Sequence, residues 1–115
     1  MSYQIRVTRS AERDMGNAYD YIDLTLKNPS AADRLLDTAE EVIGGLAEMP
    51  ARNAVADDPV LASWGIRFAI VMNYLVFYLI DEPTKTVHIL RFLYGKRNWV
   101  SILKRDFING NPGTM

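Results

Sequence analysis

Residues 66–71, 74–80 and 86–93 are three runs rich in Val, Ile, Phe and Tyr, separated by only two short breaks. This grouping constrains the fold more than any other feature of the chain. β-branched and aromatic residues favour the extended, half-buried backbone of a sheet. Met72 and Asn73 suffice for one turn, and the segment from Asp81 to Lys85, with Pro83 inside it, makes the other. Connections this short leave no room for a crossover, so the runs must pair as an antiparallel meander.

The region before the meander reads differently. Tyr3, Ile5 and Val7 alternate with polar residues, the period of a half-buried strand. Ala11, Met15, Ala18, Ile22 and Leu26 then recur at helical spacing, with Ser10 placed to cap that helix and Asn28 and Pro29 to end it. A second stripe follows in Leu35, Ala39, Val42, Leu46 and Met49, widened by Leu36 and Ile43. Ser30 with Asp33 resembles its capping box, and Pro50 marks its end. A link this short makes the two helices an antiparallel hairpin. Gly44 and Gly45 weaken the second helix by roughly 1 kcal/mol each unless close packing uses them.

Residues 51–63 read as an irregular connection around Asp57, Asp58 and Pro59, and Trp99, Ile102 and Leu103 have the spacing of a short terminal helix. The expected fold is α+β: an N-terminal strand, a helical hairpin on one sheet face, a three-stranded meander and a C-terminal helix. Its 115 residues suit a single domain over residues 1–108, with residues 109–115 expected to form a disordered tail.

Several function classes drop out on composition. The chain has no cysteine, which removes thiol chemistry and thiolate metal sites and fits a reducing cytoplasm. No apolar run approaches the roughly 20 residues that span a bilayer, so no membrane role is expected. His88 is the only histidine, which rules out a paired-histidine site, and in an apolar strand it is expected to be structural. No P-loop, dinucleotide fingerprint or nucleophile elbow occurs, so no metal and no small-molecule cofactor are expected.

The formal net charge of −1 conceals a separation along the chain. Apart from Asp106, every acidic residue lies at or before Glu82, whereas Lys85, Arg91, Lys96, Arg97, Lys104 and Arg105 crowd the last quarter. The field of that quarter can attract phosphate or an acidic partner, although a chain of this net charge is a poor unaided nucleic-acid binder. Arg67 and Arg91 sit inside apolar strands, where a cation needs a partner. They either clamp a phosphate together or form salt bridges with Asp or Glu. Tyr94 and Trp99 flank Lys96 and Arg97, a mixture suited to base stacking or to a protein contact, with Trp99 also spaced to pack the terminal helix on the sheet.

The run from Asn73 to Asp81, followed by Val87 to Leu90 and by Arg91, Phe92, Leu93, Tyr94, Gly95, Lys96, Arg97, Asn98 and Trp99, resembles the C-terminal half of the RelE/ParE toxin superfamily. The element order is similar to that of these toxins over residues 3 to 106. The resemblance implies the toxin of a type II toxin–antitoxin module, neutralised by a cognate antitoxin, with growth inhibition and plasmid stabilisation as its roles. ParE-like members poison DNA gyrase by protein contact; RelE-like members cut mRNA on the ribosome without a metal. What carries over for cleavage is Arg67, Arg91, Tyr94 and Arg97, and for target or antitoxin binding Arg91, Tyr94, Lys96, Arg97 and Trp99.

The chain departs from the RelE pattern in three places. Leu75 stands where an arginine often follows the strand tyrosine, residues 57–66 hold no cation, and no tyrosine follows Arg97. The ParE-like reading is therefore favoured over the ribonuclease. A non-toxic binding module is the remaining alternative.

Overall fold

The structure, a computed structural model, describes residues 2–108. The expected disordered tail, 109–115, lies outside the described residues. The chain runs β1 (Gln4–Val7), α1 (Arg9–Asp20), a π-helical turn (Tyr21–Thr25), α2 (Pro29–Gly45), a 3-10 turn (Pro50–Arg52), α3 (Pro59–Ser63), β2 (Arg67–Val71), β3 (Tyr74–Asp81), β4 (Thr86–Tyr94) and α4 (Trp99–Ile108). The α+β expectation holds, and the three meander strands begin and end within a residue of where their composition places them.

The four strands form one sheet in the order β1-β4-β3-β2. β2 and β3 pair antiparallel, as do β3 and β4, while β1 adds parallel to β4 from Gln4 opposite Thr86 to Val7 opposite Ile89. The chain can return to the edge of its last strand because the helical hairpin intervenes.

Two cores sandwich the sheet. Ala11, Ala18, Leu35, Ala39, Ile43 and Leu46 of the hairpin region pack on Ala69, Val71, Val76, Tyr78, Val87, Ile89 and Phe92. The opposite face, with Phe77, Leu90 and Leu93, is covered by Leu61 of α3 and by Ile102 and Leu103 of α4. Coverage on both sides explains why β3 reads as a continuous apolar run: Val76, Phe77 and Tyr78 are all fully buried.

One irregularity fixes the site. Phe77 lies opposite Arg91 but Tyr78 lies opposite Ile89, leaving Leu90 as an extra residue in β4. This bulge inverts the alternation. Val87 and Ile89 face the helical hairpin, and the next residue to do so is Phe92. Arg91, which would otherwise enter that core, is turned out of it.

Helix entry differs from the sequence reading at both helices. Thr8, not Ser10, caps α1: its hydroxyl accepts from the Ala11 N–H at 3.1 Å and donates to the Leu90 carbonyl at 2.8 Å. The strand-end residue does both because the chain leaves β4 there. Asn28 caps α2 by accepting from the Ala31 N–H at 3.1 Å, and Pro29, with its fixed φ, starts the helix directly. Ser30 is thus already helical, and Asp33 instead accepts from the Tyr19 hydroxyl of α1 at 2.7 Å.

The connection between α2 and β2 is more ordered than its composition suggests. The buried Tyr78 hydroxyl donates to the Pro50 carbonyl at 2.6 Å and accepts from the Asn53 side chain at 3.2 Å. Val55 bridges Arg67, with the Ala56 N–H donating to the Ile66 carbonyl at 2.8 Å. Asp58 caps α3, accepting from Val60 and Leu61 N–H groups, both at 3.1 Å.

Candidate functional site

The end of α1 does not continue as a regular helix. The Leu26 N–H donates to the Tyr21 carbonyl at 3.0 Å, a five-residue span that widens the turn. π-turns of this kind shift every later side chain around the helix axis and are frequent at functional sites. Leu26, expected on the inner stripe, is 55% exposed, and Tyr21 is 52% exposed.

Across from this turn, the β3 start and the β4 end present aromatic side chains. Tyr74 stacks on Phe92, with ring centroids 5.0 Å apart, and meets Tyr94 edge-on at 5.7 Å. The hairpin tip is held tightly: the Gly95 N–H donates to the Asn73 carbonyl at 2.9 Å, and a side chain at Gly95 would press on that carbonyl at 3.3 Å. The Arg97 N–H then donates to the Tyr94 carbonyl at 2.9 Å, folding the basic turn back beside the strand end.

Between the two walls lies an open groove of about 610 Å³. Asn17, Tyr21, Ile22 and Leu26 line one side; Asn73, Tyr74, Tyr94 and Arg97 line the other, with Phe92, Ala18 and Asp14 at the base. Burial raises the pKa of the Tyr74 phenol, and the neighbouring Tyr21 and Tyr94 phenols add to the effect. Three phenols therefore converge on one groove.

The structure separates the sequence-derived candidates. Tyr94 and Arg97 come together in the groove. Lys96 is exposed in the same turn. Trp99 is half-buried, its ring 5.1 Å from that of Phe77, and serves to seat α4 on the sheet.

Arg67 and Arg91 form no clamp. Arg67 shares the hairpin-facing side of β2 with Ala69 and Val71, and its guanidinium donates to the Asn53 carbonyl. Arg91 lies opposite Phe77, bound through Nε and Nη2 to the two carboxylate oxygens of Asp14, at 2.6 and 2.9 Å, and through Nη1 to Asp106 at 3.2 Å. These bonds, Asp14 foremost, hold its proton more firmly than usual. Its side chain is only 14% exposed. Of the two readings left open by the sequence, Arg91 follows the salt bridge, and Arg67 finds a backbone partner instead.

Asp14 has a further duty. β1 leaves the sheet at Val7, so the outer edge of β4 beyond Ile89 lacks a neighbouring strand. The Asp14 carboxylate accepts from the Phe92 N–H there at 3.1 Å, closing the edge. The groove's one carboxylate is thus fully engaged, and what the groove presents is apolar surface, phenols, amides and a guanidinium.

The remaining titratable candidate lies elsewhere. His88 Nε2 is 3.8 Å from Asp81, and its buried Nδ1 has no partner. Among the described residues no cluster of three His, Asp or Glu side chains is placed to hold a metal ion. No described helix is long and apolar enough to cross a membrane.

Sequence reasoning reached Tyr94 and Arg97 through the basic turn but missed Asn17, Tyr21, Leu26, Asn73 and Tyr74. Tyr74 and Asn73 enter the sequence reading as strand, turn and part of the family-like run, with no site role of their own. Nothing in the apolar spacing of α1 announces a π-turn, although the Lys27-Asn28-Pro29 break, with Lys27 at φ 53°, marks where the helix must be interrupted.

Comparison with known proteins accords with this architecture. The sequence model of the ParE toxin of the type II toxin–antitoxin system parDE matches residues 5–99. The toxin–antitoxin complex RelBE2 of Mycobacterium tuberculosis contains a chain 26% identical, superposing with a TM-score of 0.59 over 82% of this chain and 99% of that one. The chromosomal ParDE system of P. aeruginosa gives 20% identity and a TM-score of 0.62 over 81% and 96% of the two chains. A mutant E. coli toxin RelE in the free state shares the fold at 13% identity, with a TM-score of 0.60 over 91% and 98%. No protein of curated function matches significantly in sequence. On the family match across both sheet and hairpin, this chain belongs to the ParE toxin family of type II toxin–antitoxin systems.

Proposed function

We propose that this toxin acts by protein contact, as a ParE-like inhibitor of DNA gyrase in the cytoplasm, and is neutralised by a cognate antitoxin. The observation that carries this reading is the commitment of Arg91 to Asp14 and Asp106. In-line cleavage of RNA needs cations free to neutralise the scissile phosphate and a group near neutral pKa to move protons. Here Arg91 is paired, Arg67 lies on the opposite face of the sheet from Arg91 with its guanidinium held by the Asn53 carbonyl, and the groove that keeps Arg97 offers phenols instead of an imidazole or a free carboxylate. Tyrosine and arginine are the residues most often found at the centre of protein interfaces.

The antitoxin part of the reading draws on the family and on the RelBE2 and ParDE systems, whose names record a toxin with its antitoxin. Supercoiling by purified gyrase tests the mechanism. Inhibition at micromolar toxin is expected, and full activity of gyrase at that concentration refutes it.

The ribonuclease reading keeps one observation in its favour, the convergence of Tyr94 and Arg97 in a single groove. It predicts ribosome-dependent cuts in mRNA that vanish in Arg97→Ala. Toxicity unchanged in that variant removes it.

A further inference from the structure

Four arginines outside the groove have no partner. Arg6, Arg9, Arg13 and Arg105 are exposed, and none of them forms an ion pair among the described residues. The fold brings them to one edge. Arg6 stands opposite His88 on β1, Arg9 opens α1 where the chain leaves that strand, Arg13 immediately precedes Asp14, and Arg105 immediately precedes Asp106. Because Arg91 binds both aspartates, the α1 turn that carries Arg13 and the α4 turn that carries Arg105 are held together across the open edge of β4.

The nearby acids do not neutralise this edge. Asp14 and Asp106 are engaged by Arg91. Glu12 shares its helical phase with Tyr19, whose hydroxyl reaches Asp33 of α2, so Glu12 lies toward the hairpin. Arg9 and Arg13 sit one turn apart on the side of α1 away from the buried Ala11 and Ala18. Like charges at this spacing repel, and cations in the first turns oppose the helix dipole. An arrangement that weakens the helix and gains no contact within the chain points to a contact outside it.

The surroundings identify that contact. Among the described residues, no large apolar side chain is exposed between residues 2 and 20 or between 95 and 108. A protein interface is centred on apolar and aromatic anchors, which this edge lacks, whereas a phosphate backbone asks only for cations and hydrogen-bond donors. All four cations are arginine, whose planar fork matches phosphate oxygens in pairs, while the chain's lysines stand at 27, 85, 96 and 104. The net charge of −1 keeps binding to free nucleic acid weak, so the contact matters where the nucleic acid is already held by the target.

We propose that Arg6, Arg9, Arg13 and Arg105 take the phosphate backbone of the duplex DNA that gyrase holds, so that the toxin grips its target through protein at the groove and through DNA at this edge. The inference rests on the gyrase reading for its setting and on the arginine edge for the contact itself.

The test uses the intact toxin and a fluorescently labelled DNA duplex, with anisotropy followed as salt is raised from low ionic strength. Four phosphate contacts give a slope of log affinity on log salt of about −3.6, so a fourfold rise in salt is expected to weaken binding about 100-fold. Arg13→Gln and Arg105→Gln are each expected to flatten that slope by about one, and Arg9→Gln/Arg13→Gln to lower affinity about tenfold or more. Arg34→Gln, on the exposed face of α2, is expected to leave slope and affinity as they are. The double variant should melt no lower than wild type, because it removes a like-charge pair, so lost binding is not lost fold. On gyrase, about tenfold more of the double variant should be needed to inhibit supercoiling.

Undetectable duplex binding at low salt, or binding that ignores the four arginines, overturns the inference; inhibition of gyrase by that same protein leaves the gyrase reading intact. Arginine-dependent duplex binding by a protein without effect on supercoiling keeps the contact and overturns the gyrase reading. Full inhibition of gyrase by the double variant overturns the role of the edge on the target. Single-stranded RNA that competes at lower concentration than the duplex overturns the assignment to DNA, and polyglutamate that competes as well as the duplex overturns the assignment to phosphate.

Discussion

Replacing Asp14 by alanine should be the most damaging single change to a charged residue in this fold. Its carboxylate is only 9% exposed and receives two bonds from Arg91 and one from the Phe92 N–H. Charge-assisted hydrogen bonds contribute about 1.5–3 kcal/mol each, and breaking a buried ion pair from one side costs about 3–5 kcal/mol because the other charge is stranded. Asp106 remains to hold Arg91 in part, at 3.2 Å, which brings the expectation to about 3 kcal/mol, or roughly 12–20 °C in melting temperature for a domain of this size.

Asp106→Ala removes one longer bond from a residue 29% exposed and should cost about 1 kcal/mol. The double variant Asp14→Ala/Arg91→Met should be more stable than Asp14→Ala alone, since removing the stranded cation removes most of the penalty. Urea titrations of the three variants measure all of this. An Asp14→Ala protein within about 1 kcal/mol of wild type, or a double variant less stable than the single, would refute the reasoning.

Three further outcomes follow from individual contacts. Thr8→Ala should cost about 1–2 kcal/mol by denaturation, because one hydroxyl both caps α1 and ties it to the Leu90 carbonyl. Tyr78→Phe should cost about 1 kcal/mol and, more tellingly, should speed hydrogen exchange at the Ala56 and Phe68 amides, since the lost hydroxyl pins the segment that pairs with β2. Asp58 is held below its ordinary pKa of 3.8, chiefly by the Leu61 N–H and then by Lys104. Its folded pKa lies under the unfolded one, so its contribution is present above that ordinary value and fades as pH falls through the folded value. The stability gap between wild type and Asp58→Ala should therefore narrow in acid, and a gap that widens there would contradict the sign.

The meander was legible because its evidence is local: composition and two short turns settle which strands pair. The parallel addition of β1 to β4 was not, because it joins residues more than 80 apart in sequence, such as Gln4 and Thr86, and depends on where the hairpin returns the chain. α3 was hidden in a five-residue helix with no periodicity to detect. The bulge at Leu90 decided the fate of Arg91, and no spacing rule anticipates it. Sequence could say that Arg91 needs a partner but not which, since Asp14 and Asp106 approach from two different helices. Gly44 and Gly45, read as a weakness in α2, fall where that helix ends, with Gly45 facing the Arg52 side chain. Leu36 and Met49, assigned to the inner stripe, are 39% and 59% exposed, because the apolar face of α2 is narrower than its spacing suggests and Met49 lies past the helix end.

The central claim, a toxin that works by contact and not by cutting RNA, meets its most direct test when gyrase supercoiling and ribosome-dependent mRNA cleavage are measured on one preparation of the intact protein. Inhibited supercoiling with uncut mRNA is the predicted result. Cut mRNA, lost on Arg97→Ala, together with unaffected gyrase would contradict it.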